Sequence, residues 1–255
     1  MSELDDSKMP LLDHLIELRS RLLWSFLTLA IAFGICLYFA RPIFAFLVQP
    51  LLASGQTKLI YTAIFEAFFV EIKVAFFAAS FCSFPVFATQ LWRFVAPGLY
   101  KKERNAFLPF LLATPVLFII GASMAYFIAI PVALEYLLGF GGNVGGVQQE
   151  ALPGVDNYLG FVMKFIFGFG ISFLLPVLLM LLERAGIVTL EQLRGARRYA
   201  IVGAFTIAAV LTPPDVVSQL LLGIPLCILY ELALIAIWFT RRRRAQNDGA
   251  EEIAL

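Results

Sequence analysis

Histidine occurs once in the 255 residues, at His14, and cysteine three times, at Cys36, Cys82 and Cys227. One histidine is too few for a histidine-built metal site or a histidine relay. Three cysteines set singly in apolar runs fit neither a zinc site nor a disulfide framework. Charge is scarce as well: 15% of residues are charged, and 19 basic against 18 acidic side chains leave a net charge of +1. No basic field marks a nucleic-acid binder. H-E-x-x-H and G-x-S-x-G are both missing, and no histidine falls inside a long apolar run. Catalysis within a bilayer needs a nucleophile–base pair or clustered carboxylates, so the chain reads as a non-enzyme with no cofactor. Hydrocarbon is what it has in quantity, with 61% hydrophobic residues and a mean hydropathy of +0.88. A soluble domain holds about 45–50% apolar and about 25% charged residues. The composition excludes a soluble globular domain and a disordered chain. It is that of a multi-span membrane protein.

A helical span needs about 20 mostly apolar residues, because ~30 Å of hydrocarbon is crossed at ~1.5 Å per residue. Charge-poor runs at Leu22–Ala40, Val74–Trp92, Ala106–Leu134, Phe165–Leu182, Tyr199–Pro214 and Val216–Tyr230 predict six helices. The fourth extends toward Tyr158 if Lys164 is included, and the sixth reaches Phe239 if it passes Glu231. None of the runs alternates as a membrane barrel strand does. The fifth is short, about 14 residues or ~21 Å, and the sixth is short as well if it stops at Tyr230. Thr212-Pro213-Pro214-Asp215 joins them, two prolines denying backbone donors and Asp215 suited to cap the next helix. A re-entrant hairpin is the alternative to two short spans beside thinned lipid.

Basic residues orient the spans. Fifteen lie at the two termini and in the connections after spans two and four, whereas only Arg41 and Lys58 lie on the opposite side. Both termini are therefore expected in the cytoplasm. Residues 1–21 form an amphipathic cytoplasmic segment, 22–240 the membrane domain and 241–255 a polar cytoplasmic tail, of which residues 245–255 are expected to lack fixed structure. The opening is acidic and a full-length span follows it, unlike a cleavable signal peptide.

Charges inside spans are costly, roughly 2.5–3.5 kcal/mol on insertion scales, so Glu71, Lys73, Lys164 and Glu231 are candidates for an ion pathway. Each also has an ordinary structural reading, as a snorkelling or partnered residue. On the cytoplasmic side, Leu11, Leu15, Leu18 and Leu22 make the apolar stripe of an interfacial helix. His14, Glu17 and Arg21 share a face of that helix. Gly160, Gly168 and Gly170 permit close helix approach, within the chain or toward a partner.

Five strings, in order along the chain, resemble the TatC family of the twin-arginine protein translocase. They are residues 14–21 (HLIELRSR), 49–51 (QPL), 94–104 (FVAPGLYKKER), 125–127 (AYF) and 211–219 (LTPPDVVSQ). The resemblance implies an all-α integral membrane protein whose six helices form a curved wall in the bacterial cytoplasmic (inner) membrane. It implies a receptor for folded-protein export, driven by the proton-motive force. In such a protein Glu17 and Glu103, with Arg19 and Phe94 beside them, bind twin-arginine signal peptides. Thr212 and Gln219 match positions where a partner helix docks, and Pro50, Tyr126 and Asp215 are further family-matched positions. The implied partners are TatA- and TatB-type single-span subunits in a multimeric complex within the lipid bilayer. Phe173-Leu174-Leu175-Pro176 departs from the family, which commonly has Glu or Gln where Leu174 stands. The rival reading is a secondary transporter using Glu231 or Glu71.

Overall fold

The structure, a computed structural model, describes residues 8–99, 108–144, 147–149 and 152–253. It divides into two compact units, one of residues 1–49 and 61–115, the other of residues 50–60 and 116–255. Five helices are long and apolar enough to cross a membrane: Leu18–Tyr38, Glu66–Leu91, Phe110–Leu138, Val155–Arg184 and Val216–Arg242.

Unit one is built on α1 (Lys8–Tyr38) and α3 (Glu66–Leu99). Between them lies α2 (Ala40–Ala53), which runs on into the second unit's residues. Small side chains bring α1 and α3 together: Cys36, Ala75 and Ala79 are buried as one cluster, with Leu29, Ala32, Phe33 and Ala78 packed around it. Alanines four apart present one smooth face, so the backbones approach closely without needing a hydrophobic drive that lipid cannot supply. The amphipathic segment and the first span are one unbroken helix, where a separate interfacial helix was expected. Between Leu11 and Leu22 there is no Gly or Pro to interrupt it. The second span begins at Glu66, eight residues before the charge-free run. Its carboxylate folds back to accept hydrogen bonds from the Thr62 and Ala63 amides and from the Thr62 hydroxyl at 2.8 Å. Those bonds fix the entry into α3 and satisfy the buried charge.

Unit two contains the rest of the third span, running from α4 (Leu108–Met124) through a π turn at Ala125–Ala129 into α5 (Ile130–Leu138). Pro131 lacks the amide that Phe127 would otherwise receive, so a widened turn costs little here. A hairpin of β1 (Gly142–Val144) and β2 (Val147–Gln149) follows. The fourth span is α6 (Val155–Ser172) and α7 (Leu175–Arg184), broken at Phe173-Leu174 ahead of Pro176. Two glycines set its packing on α4. A Cβ on Gly121 would lie 2.6 Å from the Phe169 carbonyl, and one on Gly170 would lie 2.6 Å from the Phe118 ring. Gly168 faces Leu211 in the same way, at 3.0 Å, whereas Gly160 faces open space. Close approach at Gly168 and Gly170 is therefore made within the chain.

The connection after α7 is closed at each step. Gly186, at φ +72, ends the helix while the Gly186 and Ile187 amides bond back to the Glu183 and Leu182 carbonyls, a Schellman pair. Thr189 and Gln192 then cap α8 (Leu190–Gly195) reciprocally. Next come α9 (Arg197–Leu211) and α10 (Val216–Ile253). The fifth helix is short as expected: its 15 residues reach about 22 Å. The sixth is not. Its apolar stretch is 27 residues, and the helix continues through Glu231 to Ile253, including most of the tail expected to be unstructured. The reason is a partner far away in sequence: Arg197 meets the Glu231 carboxylate at 2.9 Å, so the charge is no signal to stop.

Candidate functional site

The family-matched signal-binding positions fall in or beside unit one. Glu17 and Arg19 lie on the N-terminal stretch of α1 and Phe94 on the C-terminal stretch of α3, the two helices that pack together. Arg19 is exposed. The side chains of Glu17 and Phe94, and all of Glu103, lie outside the described residues.

The turn between α9 and α10 is polar. Thr212 is 7% exposed, and its amide and hydroxyl both donate to the Ala208 carbonyl at 2.9 Å. Backbone donation stops there, because Pro213 and Pro214 have none to give. Asp215 restarts it as the expected cap: Oδ1 accepts from the Ser218 amide at 2.7 Å. Gln219, one turn on, reaches across to donate to the Phe205 carbonyl of α9 at 3.3 Å. Gly223 lets the helices close over Phe205, since a Cβ there would be 2.8 Å from its ring.

Two polar atoms in this turn have no protein partner although they are buried: Asp215 Oδ2 and Ser218 Oγ. Ser218 is fully buried, and was not singled out from sequence, although Asp215-Val216-Val217-Ser218 has the spacing of a cap and its third residue. The structure thus brings Thr212, Asp215 and Gln219 into one polar turn. It adds Ser218 to them.

Pro50 and Tyr126 are placed elsewhere in unit two. Tyr126 is buried in the π turn. Pro50 sits in the last turn of α2, beside an open cleft of about 570 Å³ lined also by Ser54, Pro131 and Glu135. Leu174 stands at the break in the fourth span, where its amide bonds to the Ile171 carbonyl at 3.0 Å.

The two carboxylates among the ion-pathway candidates lie beside arginines. Glu231 is paired with Arg197, and Glu71 lies 3.5 Å from Arg41 in unit one. At the other end of the α9–α10 pair from the polar turn, Arg241 bonds to Glu183, whose side chain is 9% exposed, and reaches Glu191 at 3.4 Å. Tyr230 donates its hydroxyl to the Leu193 carbonyl at 2.6 Å. Here Leu190, Leu193, Tyr230, Leu234 and Ile237 form a buried cluster.

Comparison with known proteins identifies the family. The family model described as Sec-independent protein translocase protein (TatC) matches residues 13–225. A Sec-independent protein translocase protein TatC of Magnetococcus marinus is 47% identical over 97% of this chain and 90% of its own length. One from Aquifex aeolicus is 42% identical over 95% of this chain and all of its own. One from Escherichia coli K12 is 40% identical over 95% of this chain and 92% of its own. Two crystal structures described as the twin arginine translocase receptor TatC superpose with TM-scores of 0.77 and 0.79, at 42% identity. They cover 87% and 88% of this chain, and 96% and 98% of theirs. A helical protein with six spans, a short fifth helix, a Pro-Pro turn before the sixth and this extent of identity is a member of the TatC family of protein translocase proteins.

Proposed function

We propose that the chain is the signal-receiving core subunit of a twin-arginine translocase in the bacterial cytoplasmic membrane, with both termini in the cytoplasm. The observation that carries this reading is the family match over residues 13–225, which contains both Glu17 and Glu103. A carboxylate accepts a guanidinium fork bidentately, which a lysine ammonium cannot reproduce. Two carboxylates on separate segments therefore suit two consecutive arginines. Their contacts are worth roughly 3–6 kcal/mol together, an affinity between about 6 mM and about 40 μM. The rest comes from the signal's apolar segment against helices or lipid, and the arginine contacts supply discrimination. Arg19 and Phe94 complete the site.

Folded cargo then passes with TatA- and TatB-type subunits assembled around this one, driven by the proton-motive force. Thr212 and Gln219 offer a polar turn where such a helix docks. The short α9 supports local thinning of the bilayer, which lowers the barrier to passage. The secondary-transporter reading loses its support, because Glu231 and Glu71 are each beside an arginine.

The test is binding of an Arg-Arg signal peptide to the purified full chain in nanodiscs, with a Lys-Lys peptide and Glu17→Ala and Glu103→Ala as controls. Binding should fall at least tenfold for Lys-Lys and for each alanine, about 1.4 kcal/mol. Equal binding of the two peptides would exclude recognition by this subunit alone. Lengthening α9 by one apolar turn should impair export and leave peptide binding intact.

A further inference from the structure

The cleft of about 570 Å³ beside Pro50 lies within unit two, at the membrane face where the third span ends and the fourth begins. One wall is the last turn of α2, with Pro50, Ala53 and Ser54; the other is α5, with Pro131, Glu135 and Leu138. Two helix C-termini therefore border it, and neither has a basic residue in its last turn. Glu135 stands in the last turn of α5, where the carbonyl end of a helix disfavours negative charge. No cation among the described residues reaches its carboxylate. The connection from Glu135 to Asn157 has no Lys or Arg. A carboxylate at the unfavourable end of a helix, unpaired and beside an open cleft, suits a cation from outside the chain.

We propose that this cleft holds the ammonium of phosphatidylethanolamine, with the acyl chains running back along the third span toward the middle of the bilayer. Level is the first argument. The 29 residues of the third span extend about 43 Å, about 13 Å more than the hydrocarbon is thick. Tyr136, exposed and next to Glu135, is of the type that sits among headgroups. The ammonium is the outermost part of such a lipid, so it reaches the level of Glu135 and the acyl chains do not.

Direction is the second argument. The span ends at Leu138, so lower numbers lie deeper in the membrane. One turn deeper than Glu135 is Val132, and a further turn deeper are Ile128 and Phe127, all exposed and apolar. The acyl chains thus meet apolar side chains on the bilayer side of the carboxylate. Headgroup chemistry is the third. A primary ammonium offers three N–H donors to a carboxylate and to helix-end carbonyls. The choline of phosphatidylcholine has none, and phosphatidylglycerol brings no cation at all.

The experiment titrates the full chain in detergent with phosphatidylethanolamine, phosphatidylcholine and phosphatidylglycerol, each carrying the same fluorescent acyl chain. Wild type should bind phosphatidylethanolamine about five-fold above phosphatidylcholine, the upper range for an exposed ion pair, and phosphatidylglycerol least. Glu135→Gln should bring phosphatidylethanolamine down to the level of phosphatidylcholine. Glu135→Lys should reverse the order and favour phosphatidylglycerol. Both substitutions suit a helix C-terminus better than Glu does, so the thermal midpoint without added lipid should stay or rise. Equal binding of phosphatidylethanolamine and phosphatidylcholine by wild type overturns the proposal, as does a preference that survives either substitution. Free ethanolamine at the lipid's concentration should leave the bound lipid in place; displacement would assign Glu135 to a soluble amine and overturn the lipid reading.

Discussion

Helices α9 and α10 are tied at one end and left incomplete at the other. At the arginine-rich end, Gly186 closes one helix, Thr189 and Gln192 cap the next, and Tyr230 reaches the Leu193 carbonyl. Arg241 is held by two carboxylates. At the Pro-Pro end, four residues make the turn, and Asp215 Oδ2 and Ser218 Oγ are buried without a protein partner. Unpaired polar atoms inside a membrane protein are costly, so the two ends have different work. One fixes the helix pair. The other leaves two buried polar atoms unpaired, beside Thr212 and Gln219, where a partner helix is proposed to dock.

The tied end should break hardest. Arg241→Gln leaves Glu183, nearly buried, without its cation, and should destabilise the protein by about 2–3 kcal/mol. Thermal unfolding of the detergent-solubilised chain measures it, and an unchanged midpoint would show that the pair holds nothing. Asp215→Ala at the open end removes only the cap on Ser218, a loss of about 1 kcal/mol. Asp215→Asn, which keeps an acceptor oxygen, should recover most of that in the same assay.

How much of this contrast could be read beforehand depended on sequence distance. The Pro213-Pro214 break, the Asp215 cap and the shortness of α9 are local, carried by residues within one or two turns, and all were legible. Whether α10 continues past Glu231 to Phe239 stays open in the sequence, because the partner Arg197 lies 34 residues away and an isolated carboxylate in an apolar run resembles an end. Helix α2 was hidden for a related reason: Arg41, Pro42, Gln49 and Pro50 interrupt its run. Yet Pro42 sits in a first turn, where prolines are tolerated. The seating of Phe118 on Gly170 is long-range packing with no local signature. Of the family-matched signal-binding positions, Glu17 and Arg19 lie in α1 and Phe94 in α3. The orphaned Ser218 hydroxyl was also beyond reach, since a capping pattern predicts partners and not their absence.

A slighter effect is expected at Glu191, in the first turn of α8. Its own backbone amide and then the Thr189 hydroxyl, with Arg241 and Arg194 further off, hold its carboxyl below the usual range. A carboxylate with a lowered folded pKa adds stability that is present above its unfolded pKa and is lost as pH falls through the folded one. Wild type should therefore lose a small increment of stability on acidification below about pH 4.5 that Glu191→Gln lacks. Unfolding midpoints at pH 7 and pH 3.5 compare the two; parallel losses would mean that the helix start gives Glu191 nothing.

The smallest change in stability should come from Ser218→Ala, and it is the most informative about the open end. Replacing a paired hydroxyl usually costs about 1 kcal/mol, but Ser218 Oγ has no partner to lose while its amide stays bonded to Asp215. The subunit alone should therefore be unchanged or stabilised by up to about 1 kcal/mol. If the open end serves a docking helix, the same substitution should weaken retention of TatA- or TatB-type subunits on the purified complex, leaving signal-peptide binding intact. Stability and assembly would then move separately, which no defect confined to the subunit's own packing can produce. A fall in stability with assembly unaffected would instead mean that Ser218 is satisfied within the chain and that the two ends do not differ in kind.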